Sequence, residues 1–292
     1  MREARVSELK VTDWIGREET AQARVAPVQA EMLAATLSDA GAEVPADGAL
    51  LPPLWHWIAF LPTVPMADLK SDGHPRLGGF LPPVDLPRRM WASGALSFHR
   101  PLHVGERLTR HSVIRDVVEK HGSTGAMVFV TVAHEIAGED GLAIRETQDI
   151  VYLEMPDRFR APKPVPVPAA PILERRVPVS EALLFRFSAC TFNAHRIHID
   201  LPYAREVEKY PNLVVHGPLQ AMMLALQATA HRGRAPDRFR FRGVHPMFHD
   251  ADLRLLAEDG EDGALRLCTA RGEDHQGLQA TAEWEGGTWA AS

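Results

Sequence analysis

"HGPLQAMMLALQATAHRG", His216 to Gly233, is the stretch on which the fold turns. Pro218 suits the first turn of a helix, and Gly233 can supply a left-handed stop. The body between them is apolar on nearly every face, and a helix of that kind is normally buried. It falls short of the roughly 20 apolar residues that span a bilayer, and it carries Gln220 and Gln227. It therefore needs a cover, and a sheet wrapped around one helix is the α+β solution.

The cover is legible on both sides of this helix. "TRHSVIRDVVEK", "GAMVFVTVAHEIAG" and "LAIRETQDIVYLE" alternate β-branched with polar residues and are separated by turn residues. Downstream, "RFRFRGVHPMFHDADLRLLAED", "GALRLCTARGED" and "GLQATAEWEGGT" follow the same order. Pro101 matches Pro246, and Gly105 matches Asp250, at a constant offset. This is a weak repeat, and it fits two copies of one unit, each a helix followed by a meander. In the first copy "LPPLWHWIAF", Leu51 to Phe60, is expected to start the corresponding helix. Between the copies, "MPDRFRAPKPVPVPAAPILERR" carries six prolines, which favour an extended connector and forbid a helix. The expected organisation is an N-terminal half over 1–155, a connector over 156–176 and a C-terminal half over 177–292.

The totals narrow the function classes. With 45% hydrophobic and 24% charged residues, the chain reads as a soluble globular protein. A net charge of −6 and scattered arginines argue against a nucleic-acid partner. No apolar run fits a membrane span, and the N-terminal stretch lacks the apolar core of a secretory signal. Cys190 and Cys268 form no CxxC pair. A reducing, cytoplasmic setting is the simplest expectation.

Just before the apolar helix lies "TFNAHRIHID", Thr191 to Asp200. His195 and His198 are three apart, but no cysteine or glutamate nearby completes a familiar ligand set, so no metal is expected. No G-x-S-x-G elbow occurs, and Cys190 sits in the apolar "FRFSAC", which reads as a buried thiol. General acid–base chemistry fits better. His198 titrates in the range that moves protons near neutral pH. Asn193 can orient a water. Gly217 opens the helix, where free N–H groups and the helix dipole stabilise developing negative charge. These are the parts needed to add water across an enoyl thioester.

At these residues "FSACTFNAHRIHIDLPYAREVEKYPNLVVHGPLQA" resembles the hydratase signature of the MaoC-like hot-dog family, the (R)-specific enoyl-CoA hydratases. The resemblance implies a tandem hot-dog fold, with antiparallel sheets around buried helices. It places His198 on the catalytic histidine, Asp200 on the aspartate that follows it, and His216 and Gly217 on the helix-start motif. The Gly217 N–H would then be the oxyanion donor, with no cofactor required. One departure stands out: the family's catalytic aspartate is Asn193 here, and its asparagine is His195. Either His198 alone carries the proton, or His195 assists. "TFNAHRIH", together with "WIGREET", "DGHPRLGGFLPPVDLPRRMWASG" and "FHRPLHVGE", is similar to one subgroup, the mesaconyl-C4-CoA and itaconyl-CoA hydratases and fungal-type 3-hydroxyacyl-thioester dehydratases. That subgroup implies an acyl-CoA ligand, a short branched dicarboxylic acyl group and a homodimer. The N-terminal half would then shape the acyl pocket.

Four arginines remain. Arg88 and Arg89 stand beside aromatics and can meet a substrate carboxylate or CoA phosphates, or pair with surface acids. Arg240 and Arg242, at a strand start, face the same choice. Trp55, His56 and Trp57 either line an acyl tunnel or pack the core. The alternatives to hydration of a short dicarboxylic acyl group are a dehydratase of longer 3-hydroxyacyl thioesters, a thioesterase, and a thioester-binding protein without turnover.

Overall fold

The computed structural model describes residues 10–122 and 125–285. Residues 286–288 of the last strand-like stretch and the first nine residues of the chain lie outside that range. Ten strands form one antiparallel sheet. The first half contributes β1 (Glu18–Ala23), β2 (Arg88–Phe98), β3 (Leu108–Gly122), β4 (Gly125–Gly138) and β5 (Gly141–Leu153). The second contributes β6 (Leu173–Val177), β7 (Arg238–Gly243), β8 (Leu253–Asp259), β9 (Leu265–Arg271) and β10 (His275–Glu283). Their order is β1-β3-β4-β5-β2-β7-β10-β9-β8-β6. From either edge inward the connectivity is the same, so the weak repeat in sequence is a true repeat in topology. The copies join where β2 pairs with β7, from Ser93 opposite Arg242 to Ser97 opposite Arg238.

The helices repeat only in part. α1 (Pro27–Thr36) follows β1, α2 (Glu181–Cys190) follows β6, and the two pack on each other. Ser180 caps α2 by accepting the Leu183 N–H at 3.2 Å. α3 (Leu201–Glu206) and α4 (Gly217–Arg232) belong to the second half alone. α4 ends at Gly233, whose φ of 72° is the left-handed stop expected from sequence. Leu219, Met222, Met223, Leu224 and Ala228 are fully buried against the second-half sheet.

The first half has no counterpart of α4, which corrects the reading of "LPPLWHWIAF". That segment forms one 3-10 turn, Trp55–Ile58. Pro52 and Pro53 open a turn closed by the Trp55 N–H on Pro52 O at 3.1 Å, Leu54 takes a left-handed φ of 71° within it, and Pro62 and Pro65 forbid continuation. Polar groups occupy the face that a helix would have covered. Ser112, His134 and Glu146 are successive cross-strand neighbours on β3, β4 and β5. Glu146 accepts hydrogen bonds from His56 Nε2 at 2.9 Å, Trp57 Nε1 at 2.9 Å and Gln148 Nε2 at 2.7 Å. Burial pushes the Glu146 pKa up, but these bonds and the nearby imidazoles outweigh it and hold the carboxyl below its ordinary range.

Residues 154–172, between β5 and β6, carry no helix or strand. They run against the second-half sheet: Gln276 donates to the carbonyls of Val165 and Pro166, and Val167 packs on Leu256, Cys268 and Ala270.

Candidate active site

The chain leaving α2 turns sharply. Phe192 takes a left-handed φ of 49°. The Asn193 N–H donates to Ser188 O at 2.8 Å, and its Oδ1 accepts the His195 N–H at 3.0 Å. This side-chain turn aims His195 and the following 3-10 turn, Arg196–His198, into the protein. Asp200 caps α3 through the Tyr203 N–H and pairs with Arg196 at 2.7 Å, so its place is to order the loop.

His198 is buried, and its Nδ1 lies 2.7 Å from the Val214 carbonyl. A carbonyl only accepts, so Nδ1 carries the proton and Nε2 is left with its lone pair free. Burial first, then the neighbouring His216 and His195, press the His198 pKa well below its ordinary value. At neutral pH the ring is therefore uncharged and able to accept a proton. His216, at the entrance to α4, stacks on it with ring centroids 3.6 Å apart and planes 19° apart. Ser188 Oγ meets His216 Nε2 at 2.9 Å, and burial lowers the His216 pKa to about 3. Gly217 is the first residue of α4, and the space where a side chain would stand is open, with nothing within 4 Å. Together the two stacked rings stand at the start of α4, where the first N–H groups lack intrahelical partners and the dipole favours negative charge.

His195 lies on the other side, with its ring 5.4 Å from that of His198. Its Nε2 meets the buried Glu208 at 2.9 Å, and Arg88 Nε stands 3.7 Å from the second Glu208 oxygen. Arg88 also donates to the Tyr210 hydroxyl. Glu208 and Tyr210 were not legible as site residues, since nothing in their spacing separates them from a surface acid and a core aromatic.

The first half reaches into this cluster through Asp72–Gly73–His74. Asp72 O accepts the Arg196 N–H at 3.0 Å, and Ser71 O accepts from the Arg196 guanidinium at 3.1 Å. A Cβ on Gly73, at φ 92°, would stand 1.9 Å from Ala194 O, so only glycine allows this approach. His74 packs against His195 with centroids 4.1 Å apart, its Nδ1 facing Asp72 at 3.3 Å. Burial first, then the charges of Arg89 and His195, lower the His74 pKa to about 3 against the opposing pull of Asp72. The stretch "DGHP" carries part of the family resemblance, but nothing in its pattern singles out Asp72 or His74.

The arginines separate. Arg88 and Arg89 begin β2 beside this cluster. Arg240 and Arg242 do not join it: on β7 they alternate outward while Phe239 and Phe241 point inward. Arg240 pairs with Glu283, and Arg242 donates to Gln279. Trp57 packs on Trp91 at 4.8 Å and on Phe241 at 5.9 Å, and Trp55 is fully buried. Cys190 is buried, and burial raises its pKa, as befits an inert thiol. Among the described residues, no group of three or more His, Cys, Asp or Glu is arranged to hold a metal ion.

A duplicated wrapped sheet with a buried imidazole at an open helix start defines a double hot-dog enzyme of the hydratase and dehydratase class. Residues 54–249 match the family described as hydroxyacyl-thioester dehydratase type 2, and the chain belongs to that family. It is 47% identical over 265 residues to the mesaconyl-C(4)-CoA hydratase of Chloroflexus aurantiacus, covering 87% of this chain and 94% of that protein. The mitochondrial hydroxyacyl-thioester dehydratase type 2 of Schizosaccharomyces pombe is 30% identical, over 72% of this chain and 79% of its own. In fold, the chain is similar to HtdX of Mycobacterium tuberculosis, with a TM-score of 0.67 at 16% identity, covering 92% of this chain and all of that one. A second M. tuberculosis protein, described as having a double hotdog fold, gives a TM-score of 0.56 at 14% identity, over 95% and 96% of the two chains.

Proposed function

We propose that this protein adds water to, or removes it from, a short branched dicarboxylic 2-enoyl-CoA, with mesaconyl-C4-CoA as the leading substrate. The observation that carries the chemistry is the His198 tautomer: Nδ1 is tied to Val214 O, so Nε2 is the base. In the hydration direction, Nε2 takes a proton from a water oriented by Asn193 as its oxygen bonds to the β-carbon. The electron pair of the double bond moves toward the thioester carbonyl, and the Gly217 N–H receives the charge on that oxygen. The α-carbon then takes a proton, and His198 returns to neutral. His195, held by Glu208, is placed to assist, which compensates for an asparagine where a proton-carrying aspartate would otherwise stand. In this reading the first half shapes the acyl pocket, and packing of Trp57, Trp91 and Phe241 favours a short acyl group over a long one.

The test follows loss of the conjugated enoyl-thioester absorbance with mesaconyl-C4-CoA, itaconyl-CoA, crotonyl-CoA and a long-chain enoyl-CoA. Turnover of the dicarboxylic esters, absent in His198→Ala, is expected. Binding of CoA esters without any loss of absorbance would leave a thioester-binding protein, and preference for the long chain would favour the dehydratase reading.

A further inference from the structure

Arg88 and Arg89 are adjacent, yet the structure uses them differently. Arg88 donates to Tyr210 and stands at ion-pair distance from Glu208, the partner of His195, although its Nε and the facing Glu208 oxygen complete no hydrogen bond. The Arg89 guanidinium, half-buried, makes no hydrogen bond or ion pair with any described residue. Directly opposite it across β2 and β5 is Tyr152. Antiparallel partners present their side chains on one face of the sheet. Tyr152 is fully buried, and its hydroxyl has no partner. Arg89 adjoins Arg88, whose Nε stands 3.7 Å from the Glu208 that holds His195, and the charge of Arg89 bears on the Tyr152 hydroxyl and on the His74 imidazole alike. With Nδ1 of His74 turned to Asp72, its Nε2 is free.

A guanidinium without a counter-ion and a buried hydroxyl without an acceptor lack the same thing, a hydrogen-bond acceptor carrying negative charge. The place where they lack it is close to the base. The His74 ring is 4.1 Å from that of His195, which is 5.4 Å from that of His198. The phosphates of CoA stand a whole pantetheine arm from the thioester, whereas the second carboxylate of a short acyl chain stands beside the reacting carbons. We propose that Arg89 and Tyr152, flanked by His74, are the receptor for the carboxylate on the acyl group. This rests on the dicarboxylic reading above and deepens it: the first half sets acyl specificity, while Arg88 is a positioning residue for His195. An acyl group with a methyl in place of the carboxylate leaves both groups unpaired, which is the strongest form of rejection available to a pocket.

The experiment compares kcat/KM, or Ki where an ester binds without turnover, for mesaconyl-C4-CoA and crotonyl-CoA. The variants are Arg89→Met, Arg89→Lys and Tyr152→Phe, each with its melting temperature. Arg89→Met is expected to lose about 100-fold with mesaconyl-C4-CoA and about threefold or less with crotonyl-CoA. Arg89→Lys, which keeps the charge but not the fork, should recover part of the loss. Tyr152→Phe should lose about tenfold with the dicarboxylic ester alone. If Arg89→Met fails to fold, the other two variants decide. Equal losses on both esters, or no loss on either, would overturn the receptor while leaving the hydratase reading intact. A wild-type protein that hydrates crotonyl-CoA and no dicarboxylic ester would sink the substrate reading itself, before any variant is made.

Discussion

The two halves share one strand order but cover their sheets differently. The second half lays the 16-residue α4 across its sheet, and that helix begins directly after His216, whose ring stacks on His198. The first half has one 3-10 turn in that place and fills its sheet face with Glu146, His56, His134 and Ser112. One strand order thus carries a long helix on one copy and a polar, helix-free face on the other. A complete helix offers negative charge a site through its dipole, and a polar sheet face offers side-chain donors and acceptors. The halves remain coupled, because the Asp72–His74 loop of the first is bonded to the His195–His198 segment of the second.

The comparison can be broken at several points. The largest effect is expected for His198→Ala, which should lower kcat about 1,000-fold in the enoyl absorbance assay, with the melting temperature also lowered because the buried ring and its bond to Val214 O are lost. An active His198→Ala would move the chemistry elsewhere. Next, Glu146→Ala should cost about 3–5 kcal/mol of stability in urea denaturation, because it leaves His56 and Trp57 buried without their acceptor. The folded fraction should show a raised KM with kcat largely kept, because Glu146 holds Trp57 beside the acyl pocket and does not touch His198. Gly73→Ala tests the coupling. Its Cβ cannot coexist with Ala194 O, so the catalytic loop must shift, with a loss of about 100-fold in kcat/KM.

Acid sensitivity divides between the halves. Unfolded histidines take up a proton near 6.5, but His216 and His74 in the native protein do so only near 3, and His198 is also pressed well below its ordinary value. Between 6.5 and about 3 the unfolded state binds more protons, so stability is full above 6.5 and is lost as pH falls through that window. Each of these histidines contributes at most about 1.4 kcal/mol per pH unit. Urea titrations at several pH values should show a shallower slope in His74→Asn, by one proton. Activity should show no limb near 6.5 from His198. The smallest effects are expected from Arg240→Ala and Arg242→Ala: outward pairs on β7, they should change stability by about 0.5 kcal/mol or less and leave kcat/KM unchanged. A large loss in either would bring the outer sheet face into substrate binding.

What could be read from sequence was whatever local periodicity and spacing control. The α4 boundaries follow from Pro218 and Gly233, and the long strands follow from alternation. His198 and Gly217 stood out because chemistry needs a base and a helix start in close succession. Asp72, His74, Glu208 and Tyr152 did not, because each acquires its setting from partners remote in sequence. His74 is in contact with His195, and Tyr152 faces Arg89 only through strand register. Likewise "LPPLWHWIAF" looks like a helix by apolar content, and its flanking prolines set a limit that content alone does not show. Sequence by itself determined the duplicated α+β plan and a histidine close to a helix start. Tertiary structure decided which imidazole nitrogen is free, which arginine is already paired and that the first half reaches the site, because these are properties of contacts and burial rather than of residue type.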